Sequence, residues 1–488
     1  MVLVFPVMIS RMGAQSFGLW AALTAPTSMT ALFGLGVKPA VVSVLGRSLG
    51  YARASAEDAE VVNHLNQAGS CARTGMVLSL VTAGVSVAVG LAVAGPIVKL
   101  LHVPDSQAYA ALWLFRASSL CLGGMLVGAA VSALLDAAGR VDLDAAANGF
   151  VTATNAGFLL VAVLIQPSFR SLALVSVATA ATNVAAPAAC LVGSGGTVLF
   201  RWGRLDLLAF RRLGRLAVSL GSVGAMGATV DPAVKWAVGA LGGGLPVAAY
   251  ELASRAILVI SGSFGSLAAP LMPYYARTLT EHGTDHVTVR VTSASRLLVA
   301  VAFPTIALFA AASDALMRLW LGRSLPPGTV PSLEILAASA IAAIGMRASW
   351  AALIASGQGR RLLIIQIASV SAAMTVLALA AEHVLPLSVA AATAYASYTL
   401  LGGVLTLVQY GRTFGKAAAY DVLRSARHGL LLAAVATPIV LASRIAGTSP
   451  VQQVAVAALV WLGVIIHLLR GERQLRSLVA RVRRGHAL

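Results

Sequence analysis

The chain has 488 residues, of which 58% are hydrophobic and only 11% charged, with a mean hydropathy of +0.87. A soluble domain carries about 25% charged residues, so the composition excludes a soluble globular protein and identifies an all-α polytopic membrane protein. The formal net charge of +18 comes without a basic recognition helix interleaved with aromatics. Nucleic acid is therefore not an expected partner, and basic loops beside a bilayer explain the charge.

A spanning helix needs about 20 apolar residues. Met1–Ser10 supplies half of one and lacks the basic start and cleavage site of a signal peptide. We expect the reading frame to start inside the first helix. Full-length segments follow at Trp20–Leu45, Thr74–Leu101, Ala110–Leu135, Gly149–Ile165 and Ser171–Phe200. The second half gives Leu216–Leu241, Tyr250–Tyr274, Leu297–Leu316, Leu333–Ser356, Leu362–Ala381, Ser388–Tyr410, Gly429–Ala446 and Val451–Leu469. The expectation is fourteen transmembrane helices. The three cysteines, Cys71, Cys121 and Cys190, have no metal-ligand spacing and read as structural thiols.

With both termini cytoplasmic, 24 of the 35 Lys and Arg fall on the inside and 6 on the outside. This bias predicts a multi-pass protein of the cytoplasmic (inner) membrane. The largest inside groups are Arg201–Arg215 and the tail after Leu469.

An internal repeat sets the domain organisation. Gly13-Ala-Gln-Ser-Phe-Gly-Leu-Trp-Ala is similar to Gly244-Leu-Pro-Val-Ala-Ala-Tyr-Glu-Leu, and Pro39 and Pro270 follow each glycine at the same distance. Pro-Ile-Val-Lys99-Leu-Leu is similar to Ala-Leu-Met-Arg318-Leu-Trp, and Leu135-Asp-Ala-Ala-Gly139-Arg140 to Ala355-Ser-Gly-Gln-Gly359-Arg360. A shift of six segments keeps the two halves in one orientation, so the repeat is parallel, about an axis along the membrane normal. The expected units are a six-helix lobe over 1–215, a second over 216–411, two additional helices over 412–470 and a basic tail over 471–488.

Charges inside apolar runs are costly and mark transport paths. Two pairs with i,i+4 spacing, Asp231/Lys235 and Glu251/Arg255, flank the glycine-rich turn at 242–244. Lys38, Arg116 and Arg347 have no acid at i±3 or i±4. Arg347 lies near the middle of its segment, the most expensive depth. Gly124/Gly128 and Gly239/Gly243 have the GxxxG spacing of close helix packing. No nucleophile–base–acid set, metal cluster or nucleotide-binding motif is recognisable. Neither an enzyme nor a cofactor is expected, and a membrane-embedded polymerase would need a large charged outer loop that the chain lacks.

The chain resembles the multidrug/oligosaccharidyl-lipid/polysaccharide exporter (MOP) superfamily, and within it the Wzx-type polysaccharide-unit flippases. The likeness rests on Arg11-Met-Gly-Ala-Gln-Ser-Phe-Gly-Leu-Trp20, Gly34-Leu-Gly36, Ala249-Tyr-Glu-Leu-Ala-Ser-Arg255, Leu319-Trp-Leu-Gly322 and Ser356-Gly-Gln-Gly-Arg360. It implies translocation of a polyprenyl-diphosphate-linked oligosaccharide between leaflets by alternating access, for cell-surface polysaccharide biosynthesis. Other membrane proteins of polysaccharide assembly would be its partners. The drug-exporting branch has the same fold, and a small-molecule antiporter is the alternative. The excess of cations favours an anionic substrate, because Arg pairs with phosphate through its planar fork. Arg255 and Arg347, supported by Lys38, Arg116, Lys235, Glu251 and Asp231, are the expected substrate-binding residues.

Overall fold

A computed structural model describes residues 4–29, 38, 40–42, 44–45, 48, 58–195, 205, 207–268, 271–322, 325–382 and 385–471. Gly34–Gly36, Pro39, Pro270, Arg201, Arg204 and the tail beyond Gly471 lie outside them. Among the described residues the chain is helical, without strands. The helices are α1 (Phe5–Met12), α2 (Ala14–Leu23), α3 (Asp58–Leu100), α4 (Asp105–Ala137), α5 (Val141–Ile165), α6 (Phe169–Gly193), α7 (Leu207–Gly242) and α8 (Gly244–Ala268). They continue as α9 (Leu271–Ala311), α10 (Ser313–Leu321), α11 (Thr329–Gly345), α12 (Arg347–Ala355), α13 (Gly359–Glu382), α14 (Leu387–Phe414), α15 (Lys416–Ile445) and α16 (Pro450–Gly471). A 3₁₀ turn, Ala25–Met29, follows α2.

Ten described helices are long and apolar enough to cross a membrane, or eleven if the bent pair α11/α12 is one span. The expected fourteen is thus not reached among these residues. The first helix is cut at Gly13, leaving α1 and α2 with eight and ten residues, each too short to span alone. Within the segment Trp20–Leu45, residues 30–37, 39 and 43 lie outside the description. Exposed Phe150, Val161 and Ile165 on α5 and Leu459 and Leu462 on α16 are the surfaces expected of helices that face lipid.

The chain divides into two compact units, Met1–Ala248 and Ala249–Leu488. In the first, α4 is the inner helix and packs against α3, α5 and α6. Gly124 and Gly128 let α4 lie directly on the backbone of α6 at Ala180 and Asn183, where a Cβ would collide. Gly239/Gly243 is different: Gly239 rests on the Leu101 side chain, and Gly243, at φ 71°, forms the break between α7 and α8. Gly18 of α2 and Gly244 at the start of α8 meet backbone to backbone, and neither has room for a side chain. Phe5, Phe17 and Trp20 stack together beside this crossing. The Trp236 Nε1–H donates to the Ala22 carbonyl at 2.9 Å.

In the second unit α9 packs against α11, α12 and α15. The two helices expected outside the repeat are docked here. Ala436 and Val440 of α15 and Val456 and Val460 of α16 close over Leu308 and Ala312.

Glycines with positive φ break the helices at or beside the repeat motifs: Gly13 (φ 80°) separates α1 from α2, and Gly243 (φ 71°), next to Gly244, separates α7 from α8. Gly139 (φ 83°) and Gly357 (φ 77°) each close a helix. In both of these turns the glycine N–H bonds three residues back and the next N–H five residues back. Arg140 N donates to Leu135 O at 2.9 Å and Gln358 N to Leu353 O at 3.1 Å. This is a Schellman closure, which needs a left-handed residue that glycine supplies without strain.

Candidate functional site

The clearest site lies in the second unit, at the joint between α11 and α12. The stretch Leu333–Ser356 reads as one apolar helix, yet the axis bends by 42° at Met346. Met346 sits at φ −95°, ψ −4°, the sparsely used bridge region. Gly345 before it faces Phe303 and Val299 of α9. Arg347 is the first residue of α12, so its charge is added to the positive end of a half-helix dipole.

The Arg347 guanidinium reaches α8. Its Nη2 is 3.5 Å from the Ser261 carbonyl, which is a long hydrogen bond. A Cβ at Gly265 would stand 2.7 Å from Nη1, so the guanidinium lies directly over this glycine and would have to shift to admit a side chain there. The Arg347 Nε is buried without an acceptor among the described residues. The side chain opens on a cavity of about 260 Å³, shared with Trp350, Gln366, Tyr398, Thr399 and Thr406. Tyr398 Oη donates to Gln366 Oε1 at 2.6 Å, which fixes both. Among the described residues, no acid lines the cavity. A buried cation with an unmet N–H and no carboxylate is destabilising unless water or an anion completes it. The arrangement suits a phosphate or carboxylate oxygen.

The other expected residues are placed as follows. Glu251 is buried, with its side chain 2% exposed, and its Oε1 accepts from Arg255 Nε at 2.7 Å. Arg255 starts from α8, the helix that Arg347 touches, but it does not line the Arg347 cavity. Asp231 and Lys235 form the other i,i+4 pair, with the Lys235 side chain only 2% exposed. Arg116 is half-buried on α4, with no ion pair among the described residues. The structure thus brings Arg347 into a cavity and keeps Lys235 and Glu251 in internal ion pairs.

Lys38 corrects the sequence reading. It has no acid at helical spacing, yet its Nζ lies 3.0 Å from Asp136 Oδ2 and 2.9 Å from Asp144 Oδ2. Asp136 is in the last turn of α4 and Asp144 in the first turn of α5, and the Gly139 turn brings them together. Asn148 Nδ2 donates to Asp144 Oδ1 at 3.0 Å and holds it in place. The triad has a formal charge of −1. Asp136 and Asp144 were missed because sequence reasoning searched one turn either side of each charge. The available signal was two acids astride a Gly-Arg turn that joins two apolar segments.

Several solved structures share the fold. An inward-facing multidrug-resistance MATE family transporter of the MOP superfamily superposes with a TM-score of 0.67 at 13% identity, covering 86% of this chain and 94% of that one. A MOP superfamily transporter from Pyrococcus furiosus gives 0.59 at 13% identity, covering 86% and 95%. A mutant form of the Vibrio cholerae MATE transporter VcmN gives 0.56 at 15% identity, again covering 86% and 95%. No family model and no curated protein matches the chain. The fold is that of the MATE transporters.

Proposed function

We propose that the chain is an alternating-access transporter whose substrate carries an anionic phosphate head group, and that this substrate is a polyprenyl-diphosphate-linked oligosaccharide moved from the inner to the outer leaflet. The observation that carries the reading is Arg347, a cation at a helix break, with an N–H unmet and no acid in its cavity among the described residues. Half-helix N-termini in transporters point at anionic substrate groups. A cavity of about 260 Å³ lies just below the usual range of small-molecule sites, about 300–1,000 Å³, so it suits a head group alone and leaves the sugars elsewhere. Arg255 and Arg116 belong to the same proposal as secondary cations on the head group's path; Lys38, held between Asp136 and Asp144, does not.

The neighbours support transport through the fold. The Pyrococcus furiosus protein is described as having a binding pocket of reversed polarity that suggests a different function. We read pocket polarity as the discriminator here also. A second reading, antiport of a cationic small molecule, is favoured by the Lys38–Asp136–Asp144 triad with its excess negative charge. The two are separated by reconstitution. Proteoliposomes containing the full chain should expose a fluorescent undecaprenyl-diphosphate-linked sugar to an external lectin or enzyme. Uptake of a lipophilic cation in the same vesicles, with no movement of the glycolipid, would establish the second reading and end the first.

A further inference from the structure

The first unit contains a second cationic cavity. The hairpins α3/α4 and α5/α6 bring residues 101–105 and 166–170 to one end of the unit, and the break at Gly13 lies at the same end. Between them is a cavity of about 390 Å³, lined by Arg11, Arg170, Gln107, Gln166, Ser16 and Tyr109 among others. Neither arginine has a carboxylate partner among the described residues. Asp105 is the one acid in these connections, and it does not line the cavity. The Arg170 guanidinium lies 5.8 Å from the centre of the Tyr109 ring. Tyr109 packs edge-on against Trp113, and both rings are well exposed, at 61% and 48%. Exposed Tyr and Trp near the end of an apolar helix mark the head-group level of a bilayer. The cavity therefore sits where lipid phosphates are found.

We propose that this cavity binds an anionic phosphate head group, held between Arg11 and Arg170 with Tyr109 as the platform that orients Arg170. Two forks of N–H donors, side-chain amides of Gln107 and Gln166 and the Ser16 hydroxyl provide donors for the phosphate oxygens and the groups attached to them. The site shares no residue with the Arg347 cavity and does not depend on the transported substrate. The phosphate comes from a bilayer lipid or from a free phosphate compound, and the binding chemistry is the same for both.

The test is ³¹P line broadening with the purified full chain in a neutral detergent. The probes are inorganic phosphate, dihexanoyl phosphatidylglycerol and dihexanoyl phosphatidylcholine. Wild type should broaden the phosphatidylglycerol line saturably and leave phosphatidylcholine sharp. Arg11→Gln and Arg170→Gln should each weaken binding about tenfold, the value of one charge-assisted hydrogen bond. Tyr109→Ala should weaken it by a factor of about three, as expected for one cation–π contact. Arg318→Gln, at an exposed pair with Asp314 on α10, should change nothing. Displacement of the lipid by inorganic phosphate assigns the site to phosphate itself; binding of the lipid alone assigns it to the bilayer. If either glutamine variant does not fold, Arg11→Lys or Arg170→Lys replaces it, with a loss of several-fold. Equal binding by wild type and the arginine variants, or an equal loss in Arg318→Gln, overturns the proposal.

Discussion

Replacing Lys38 by Met isolates what the ion triad does for the fold. Asp136 Oδ2 and Asp144 Oδ2 both lie within 3.0 Å of one nitrogen, so they are no more than about 6 Å apart. Without the ammonium, two carboxylates at that distance repel by about 3 kcal/mol at an effective dielectric constant of about 20. Two charge-assisted hydrogen bonds are lost as well, each about 1.5–3 kcal/mol when buried. Side-chain exposures of 31% for Lys38 and 18% and 10% for the acids admit solvent and reduce both figures. A net loss of about 3 kcal/mol is expected. Adding Asp136→Asn and Asp144→Asn to Lys38→Met removes the repulsion, and this neutral triple variant should recover to within about 1 kcal/mol of wild type. Denaturant unfolding of the detergent-solubilised chain reads both values. A Lys38→Met protein as stable as wild type, or a triple variant no better than Lys38→Met, refutes the electrostatic account of this joint.

Other outcomes follow from single positions. Gly18→Val places a branched side chain in a backbone-to-backbone crossing and should cost about 3 kcal/mol, read as loss of folded protein on size exclusion. Gly139→Val and Gly357→Val each force a β-branched residue into a left-handed turn; each should cost about 1–2 kcal/mol in unfolding free energy, with Asn cheaper than Val at both. Tyr398→Phe frees the Gln366 amide and should lower substrate affinity severalfold while leaving membrane abundance unchanged. Reporter fusions should place Arg201–Arg215 in the cytoplasm and Leu321–Val330 outside; the opposite result would reverse the orientation.

Much of the helical framework was legible because hydropathy and helix spacing are local properties. The apolar segments at Ala110–Leu135, Leu362–Ala381 and Val451–Leu469 correspond to α4, α13 and α16. Helix ends were less legible. α3 begins at Asp58, well before the apolar run at Thr74, because a helix continues past the apolar part that hydropathy follows; α9 is broken at Gly283 (φ 80°, ψ −173°), a glycine break that hydropathy does not report. The i,i+4 pairs Asp231/Lys235 and Glu251/Arg255 were legible because one helical turn dictates them. The Lys38–Asp144 bond joins residues 106 apart in sequence, and no periodicity reports such a contact. The break at Met346 was also hidden. Its flanks are apolar apart from Arg347 itself, and the bend shows only once Gly345 packs against Phe303 and Arg347 turns toward Gly265.

The central claim is that Arg347 receives a phosphate head group. It is tested most directly by titrating the purified full chain with a water-soluble prenyl diphosphate such as farnesyl diphosphate. Loss of a bidentate arginine contact of about 3 kcal/mol corresponds to about a hundredfold in affinity. Arg347→Ala should therefore bind about a hundredfold more weakly than wild type while keeping its unfolding stability. Arg347→Lys should fall between the two, because lysine keeps the charge but lacks the fork. Equal affinity of wild type and Arg347→Ala for the diphosphate would contradict the claim.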